Sequence, residues 1–197
     1  MERIGCLLAG YICGCFLTAE LISKKYTGYG VEENGPDNPG MAGITRKLGK
    51  KAGFLVLFGD GLKTFIAIGI CRLWLFRDLG SLAVSYAGFG AVLGHSFPIF
   101  RHFHGGKGIA VTGVYSLCLY PPVFLITYIS GGLAALLTRQ LAVGSAVIAV
   151  LFPVTTFFFG FKGEEIILAM IAGSVILIRH KRNFHDLFRQ RAYQDNF

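Results

Sequence analysis

Apolar residues run in long unbroken blocks along this chain, at about 4–22, 53–76, 79–100, 142–160 and 164–179. Each is close to the ~20 residues that a helix needs to cross the hydrocarbon core of a bilayer. A further block, 108–138, is too long for one crossing. Tyr120-Pro121-Pro122 divides it into a short helix, about 108–119, and a fuller one, about 122–138, because proline donates no backbone hydrogen bond and restricts the residue before it. The pattern predicts an all-α, polytopic membrane protein with about seven transmembrane segments, several of them short or tilted. Polar positions gather mainly in 23–52, where Asn34-Gly35-Pro36-Asp37-Asn38-Pro39-Gly40 predicts a structured turn region rather than helix. No internal repeat or low-complexity tract is visible, so one domain over 1–197 is expected. The lack of a repeat weighs mildly against the common transporter architectures built from two related halves.

Composition agrees with a bilayer setting. The 197 residues are 53% hydrophobic and 15% charged, with a mean hydropathy of +0.58, too apolar for an ordinary soluble domain. The formal net charge of +8 suits lipid head groups or an anionic substrate, and membrane placement leaves nucleic acid the least favoured partner. Cys6, Cys13, Cys15, Cys71 and Cys118 lie inside apolar runs without metal-site or disulfide spacing and read as small packing residues. Residues 4–22 lack a basic leader and are followed by Ser23-Lys24-Lys25 in place of a cleavage site, so a retained first span is expected rather than a signal peptide. With the N-terminus outside, fourteen of the 19 Lys and Arg fall in cytoplasmic regions and only Arg3, Arg77 and Lys162 outside. Basic residues of short loops accumulate on the cytoplasmic side, so the expected topology is N-terminus out, C-terminus in.

Chemistry concentrates at a few positions. Gly105-Gly106-Lys107-Gly108 lies between two apolar segments and opens a helix. Unpartnered helix-start N–H groups and a lysine make such a loop a candidate phosphate cradle, against the plainer reading of a cytoplasmic turn. It is not a nucleotide P-loop, since Arg101 and Gly108 stand where that motif requires Gly and Ser or Thr. Asp60 and Lys63 share a helix face inside a span, either as a structural ion pair or as an electrostatic support for a polar cavity. His95, in Gly94-His95-Ser96-Phe97-Pro98, ends the third span as a structural or catalytic histidine. Two basic clusters, one with Arg46, Lys47, Lys50 and Lys51 and the other Arg179-His180-Lys181-Arg182-Asn183, are topology signals that attract anionic lipid, or together with Lys107 line one pocket. Ser145 adds a hydroxyl at the start of the sixth span.

In order and spacing, these residues resemble the acyl-phosphate-dependent glycerol-3-phosphate acyltransferases of bacterial membranes, the PlsY family. Gly35-Pro36-Asp37-Asn38 leads to Arg46 and Leu48-Gly49-Lys50, and Asp60 with Lys63 follows. Gly94-His95-Ser96-Phe97-Pro98 and Gly105-Gly106-Lys107-Gly108 come next, and after them Thr138-Arg139, Gly144-Ser145 and Arg179-His180-Lys181-Arg182-Asn183. The chain departs from the family where Pro36 and Asp37 replace Ser and Gly, and where Gly14-Cys15-Phe16-Leu17 replaces Gly-Ser-x-Pro.

The resemblance implies seven spans, a cytoplasm-facing groove in the inner membrane of a bacterium, and transfer of an acyl chain from acyl phosphate to the first hydroxyl of glycerol 3-phosphate. Lysophosphatidic acid and phosphate would be the products, with no cofactor and no metal. Arg46, Lys107 and the loop glycines Gly105, Gly106 and Gly108 would then bind phosphate, Ser145, His180 and Asn183 orient glycerol phosphate, and Asn38 serve the donor. His95, His180 or a substrate phosphate oxygen would accept the hydroxyl proton, with Lys107 stabilising developing charge. Two alternatives share the cationic pocket: a transporter or flippase of a phosphorylated metabolite, and a catalytically silent lipid-binding paralogue.

Overall fold

The structure, a computed structural model, describes residues 1–31, 33 and 39–194. Asn38, Pro36 and Asp37 lie outside the described residues. The described chain is helical throughout: α1 (Glu2–Gly14), α2 (Thr18–Thr27), α3 (Met41–Gly69, continued by a π-helical stretch, Ile70–Leu75), α4 (Ser81–Ser96), α5 (Ile109–Leu119), α6 (Pro121–Thr138), α7 (Leu141–Phe158), α8 (Glu164–Arg179) and α9 (Lys181–Gln194). Five helical stretches are long and apolar enough to cross a membrane: Glu2–Thr27, Met41–Leu75, Ser81–Arg101, Pro121–Thr138 and Leu141–Phe158. Their outward side chains are large and apolar, Trp74, Leu136 and Phe158 among them, as a lipid solvent requires.

α1 and α4 form the tightest pair. Gly10 and Gly14 lie against the backbone of Ala87 and Ala91, while Gly90 and Gly94 lie against that of Leu7 and Tyr11. This is small-residue packing of the kind that lets membrane helices approach closely, and any Cβ at these four positions would overlap a backbone atom. α5, eleven residues long, rises only about 16 Å at ~1.5 Å per residue, short for a crossing. It compensates by burial: Val111 and Tyr115 are fully enclosed, with Tyr115 edge-on to Phe152 of α7 at 5.0 Å between ring centres. The expected break at Tyr120-Pro121-Pro122 is present, both prolines occupying the first turn of α6, where their missing N–H costs nothing.

Two expectations are corrected. The run 4–22 is not one helix, since it breaks at Cys15–Leu17 into α1 and α2. The ammonium of Lys63 donates to the carbonyl of Phe16 at 2.6 Å, and this contact makes the break tolerable inside a membrane. Nor is 23–52 mainly turn. α2 runs to Thr27, where Gly28 (φ 78°) closes it, and α3 begins at Met41. Gly49 (φ 86°) then bends α3 between the mixed polar segment 41–48 and the apolar one after it, a left-handed conformation that favours glycine. The basic C-terminal run, expected as a topology signal or as part of a pocket with Lys107, is helical, as α9.

Candidate functional site

The loop between α4 and α5 carries the glycine motif, and its course is set by contacts with neighbouring elements. After α4, Pro98 begins a short 3-10 turn, Ile99–Arg101. His102 (φ 47°) and Phe103 (φ 61°) follow, both left-handed without being glycine. Phe103 N–H closes back on Pro98 O at 3.0 Å and His104 N–H on Arg101 O at 2.9 Å. The next two residues must be glycine for steric reasons: a Cβ at Gly105 would overlap the His95 carbonyl oxygen, and one at Gly106 would overlap the His95 ring. Gly106 N–H donates to His95 O at 2.9 Å, so it is committed to the fold rather than to an anion. Gly108 (φ 85°) turns the chain into the start of α5.

Arg179, at the last position of α8, clamps this loop from the other side. Its guanidinium donates to Gly106 O at 3.1 Å and also to Gly105 O, and its centre lies 5.5 Å from the Phe97 ring centre. Lys107 therefore leaves a loop pinned from two directions, and its ammonium donates to Asn183 Oδ1 at 2.6 Å. Between them in sequence, His180 is 5% exposed. Its Nδ1 lies 2.8 Å from Ile176 O, and since a carbonyl only accepts, Nδ1 carries the proton and Nε2 presents a lone pair. Burial, helped by the Lys107 and Arg179 cations, pushes its pKa down to about 4, so at neutral pH it is an uncharged imidazole.

The expected residues divide by position. Lys107, His180 and Asn183 come together with Gly105, Gly106 and Gly108. Ser145 sits 7% exposed at the start of α7, its hydroxyl donating to Leu141 O at 2.9 Å, on a helix that packs against α8 and α9. Arg46 is exposed on the polar segment of α3.

His95 is buried at 3% exposure, with Nδ1 3.1 Å from Lys63 Nζ and the Nε2 edge against Gly106. That position suits a strut better than a base. Behind it, Lys63 pairs with Asp60 at 2.8 Å, and Thr18 donates to the same carboxylate oxygen at 3.2 Å. Asp60 and Lys63 thus form a buried pair inside the bundle whose last link, His95, touches the glycine loop. The sequence places Arg179 in a basic cluster that serves as a topology signal or lines a pocket with Lys107, without giving it a role of its own. The available signal was its spacing, one helical turn before Asn183. Among the described residues no cluster of His, Cys, Asp and Glu is spaced for a metal ion.

The fold and this cluster define an integral, multi-pass, all-helical membrane protein with a cationic site where α5, α8 and α9 meet. The chain belongs to the glycerol-3-phosphate acyltransferase family, whose sequence model, described as "Glycerol-3-phosphate acyltransferase", matches residues 4–190. It is 34% identical to glycerol-3-phosphate acyltransferase 1 of Lactobacillus acidophilus over 189 residues, covering 95% of this chain and 89% of that protein. The glycerol-3-phosphate acyltransferase of Rubrobacter xylanophilus is 32% identical over 191 residues, 96% of this chain and 93% of that protein. Its fold matches crystal structures of PlsY (YgiH), an integral membrane glycerol 3-phosphate acyltransferase, in a glycerol 3-phosphate form (TM-score 0.85) and a lysophosphatidic acid form (TM-score 0.83). Both are 29% identical, covering 97% of this chain and 94% of theirs.

Proposed function

We infer that this chain is a PlsY-type glycerol-3-phosphate acyltransferase, a single domain over 1–197 of a bacterial cell membrane, forming lysophosphatidic acid from glycerol 3-phosphate with acyl phosphate as donor. The observation that carries the reading is the convergence of Lys107, Arg179, His180 and Asn183 on one glycine loop, at the positions where the family motifs fall. We take the chain to cross the membrane seven times, α5 and α8 being the shorter crossings, with the N-terminus outside and the site facing the cytoplasm. The excess of basic residues at the site's end supports that orientation.

An acyl phosphate is a mixed anhydride with a good leaving group, so no covalent nucleophile is needed. The enzyme's task is to bring a hydroxyl and a carbonyl together. Two phosphate-bearing substrates repel one another. Lys107 and Arg46 offset that charge and stabilise what develops on the leaving phosphate. Ser145, His180 and Asn183 orient glycerol 3-phosphate, Asn38 serves the donor, and Asp60 and Lys63 support the loop through His95.

With its Nδ1 proton engaged by Ile176 O, His180 presents Nε2 as an acceptor, and the hydroxyl proton passes to that nitrogen or to a substrate phosphate oxygen.

The test is acyl transfer by purified protein. Lys107→Ala and Arg46→Ala each abolish turnover while the protein stays folded in detergent, and wild-type-like turnover in both contradicts the assignment. Labelled glycerol 3-phosphate offered with acyl phosphate, acyl-CoA or acyl carrier protein conjugate identifies the donor.

A further inference from the structure

Glu20, on the inner half of the broken first span, is bound from three directions although it belongs to none of the motifs. Its Oε2 takes the guanidinium of Arg101, four residues before Gly105. The same oxygen accepts the Val31 N–H at 3.1 Å, and Oε1 lies 3.3 Å from the Lys24 ammonium, one turn along α2. Both partners of the Arg101–Glu20 pair are mostly enclosed, their side chains 16% and 20% exposed, so the pair is screened far less than a surface one. Gly30 lies so close that a Cβ there would come within 2.6 Å of Glu20 Oε1.

The two elements joined this way are the ones that lead into the two substrate sides. Arg101 ends the 3-10 turn, and the left-handed His102 and Phe103 come directly after it. Left-handed conformations at non-glycine residues persist only where surrounding contacts impose them, and Lys107 follows four residues later. Val31 is 2% exposed, packed with Ala19, Ile44, Ala52 and Val56, so the turn it closes is anchored to α2 and α3. From Val31 the chain continues toward Asn38.

We propose that Glu20 is a positioning residue for acyl transfer, holding the Lys107 loop through Arg101 and the turn that ends at Val31 through that residue's amide. The proposal rests on the reading of Lys107 as a phosphate ligand and of Asn38 as donor-side. Glu20 touches no reacting atom and acts only through these two anchors.

Full-length Glu20→Gln, Arg101→Gln and the double variant, purified and assayed with each substrate varied in turn, test it, with Lys107→Ala as reference. Each single change lowers kcat/KM for glycerol 3-phosphate about tenfold, the scale of one charge-assisted contact. The double variant loses no more than either single, because both break the same link. Glu20→Ala, which also strips the Val31 amide of its acceptor, additionally raises KM for acyl phosphate, whereas Arg101→Gln leaves that KM unchanged.

A multiplicative loss of about a hundredfold in the double variant overturns the proposal. So does equal KM for acyl phosphate in Glu20→Ala and Arg101→Gln, or a fall in melting temperature with KM and kcat intact. If Lys107→Ala itself stays active, the phosphate-site reading fails instead. Loss in Lys107→Ala with wild-type behaviour at positions 20 and 101 sinks only the role of Glu20.

Discussion

Replacing Lys63 by methionine exposes what holds the broken first span. The side chain is 7% exposed, and its ammonium meets Asp60 Oδ1 at 2.8 Å, Phe16 O at 2.6 Å and His95 Nδ1 at 3.1 Å. Lys63→Met keeps the aliphatic volume but leaves a carboxylate in the bundle with Thr18 as its remaining hydroxyl donor, and leaves the Phe16 carbonyl bare. Removing one partner of a buried pair costs about 3–5 kcal/mol. At about 2–4 °C per kcal/mol for a chain of this size, the melting temperature in detergent falls by roughly 6–20 °C. Adding Asp60→Leu removes the stranded charge, and the residual penalty is then that of two neutral groups, the Phe16 carbonyl and the Thr18 hydroxyl, smaller than that of a buried unpaired carboxylate. The double variant therefore melts above Lys63→Met. The measurement is a thermal melt of all three proteins in one detergent, with acyl transfer recorded alongside. A double variant that melts at or below Lys63→Met, or a single variant that melts like wild type, refutes the account of the pair as mutually compensating.

Two further outcomes follow from the loop and from His180. Gly106→Ala forces the His95 ring and the loop apart, so acyl transfer falls at least about tenfold and overpacking by about 1–3 kcal/mol lowers the melting temperature by roughly 2–12 °C, checked by assay and melt on the same preparation. His180 has a folded pKa of about 4, below its ordinary value of about 6.5. Stability from the neutral, buried ring is therefore complete above about 6.5 and is lost as pH falls toward 4, because the unfolded chain takes up the proton first. Lys107 and Arg179 face it as cations and oppose its protonation. A pH series of melts shows that decline in wild type and a shallower one in His180→Gln, while the rate profile has no limb near 6.5 attributable to His180.

The membrane class, the break at Tyr120-Pro121-Pro122 and the order of the motif residues were legible because hydrophobic length, proline chemistry and spacing are local properties. The interruption at Cys15–Leu17 was not. Phe16 and Leu17 are as apolar as their neighbours, and the compensating ammonium comes from Lys63, 47 positions away. Helix 41–48 was obscured by the turn-forming residues just before it, which dominate any window reading of 23–52. Lys107, His180 and Asn183 were found through their motifs and do converge. Arg179 received no individual role because a cation beside a span already had an explanation. His95 was read as structural or catalytic, since sequence reveals neither its enclosure nor that a Cβ at Gly106 would meet its ring. Glu20 carried no signal at all, since its partners Val31 and Arg101 are set by tertiary structure.

The Phe16 carbonyl also bears on how the protein enters the membrane. Without α3, the broken first span would leave the Phe16 carbonyl bare in hydrocarbon, since the ammonium that covers it comes from Lys63. Biogenesis must therefore keep the opening segment sheltered by the insertion machinery until α3 has emerged, so that the two are released into lipid as a pair.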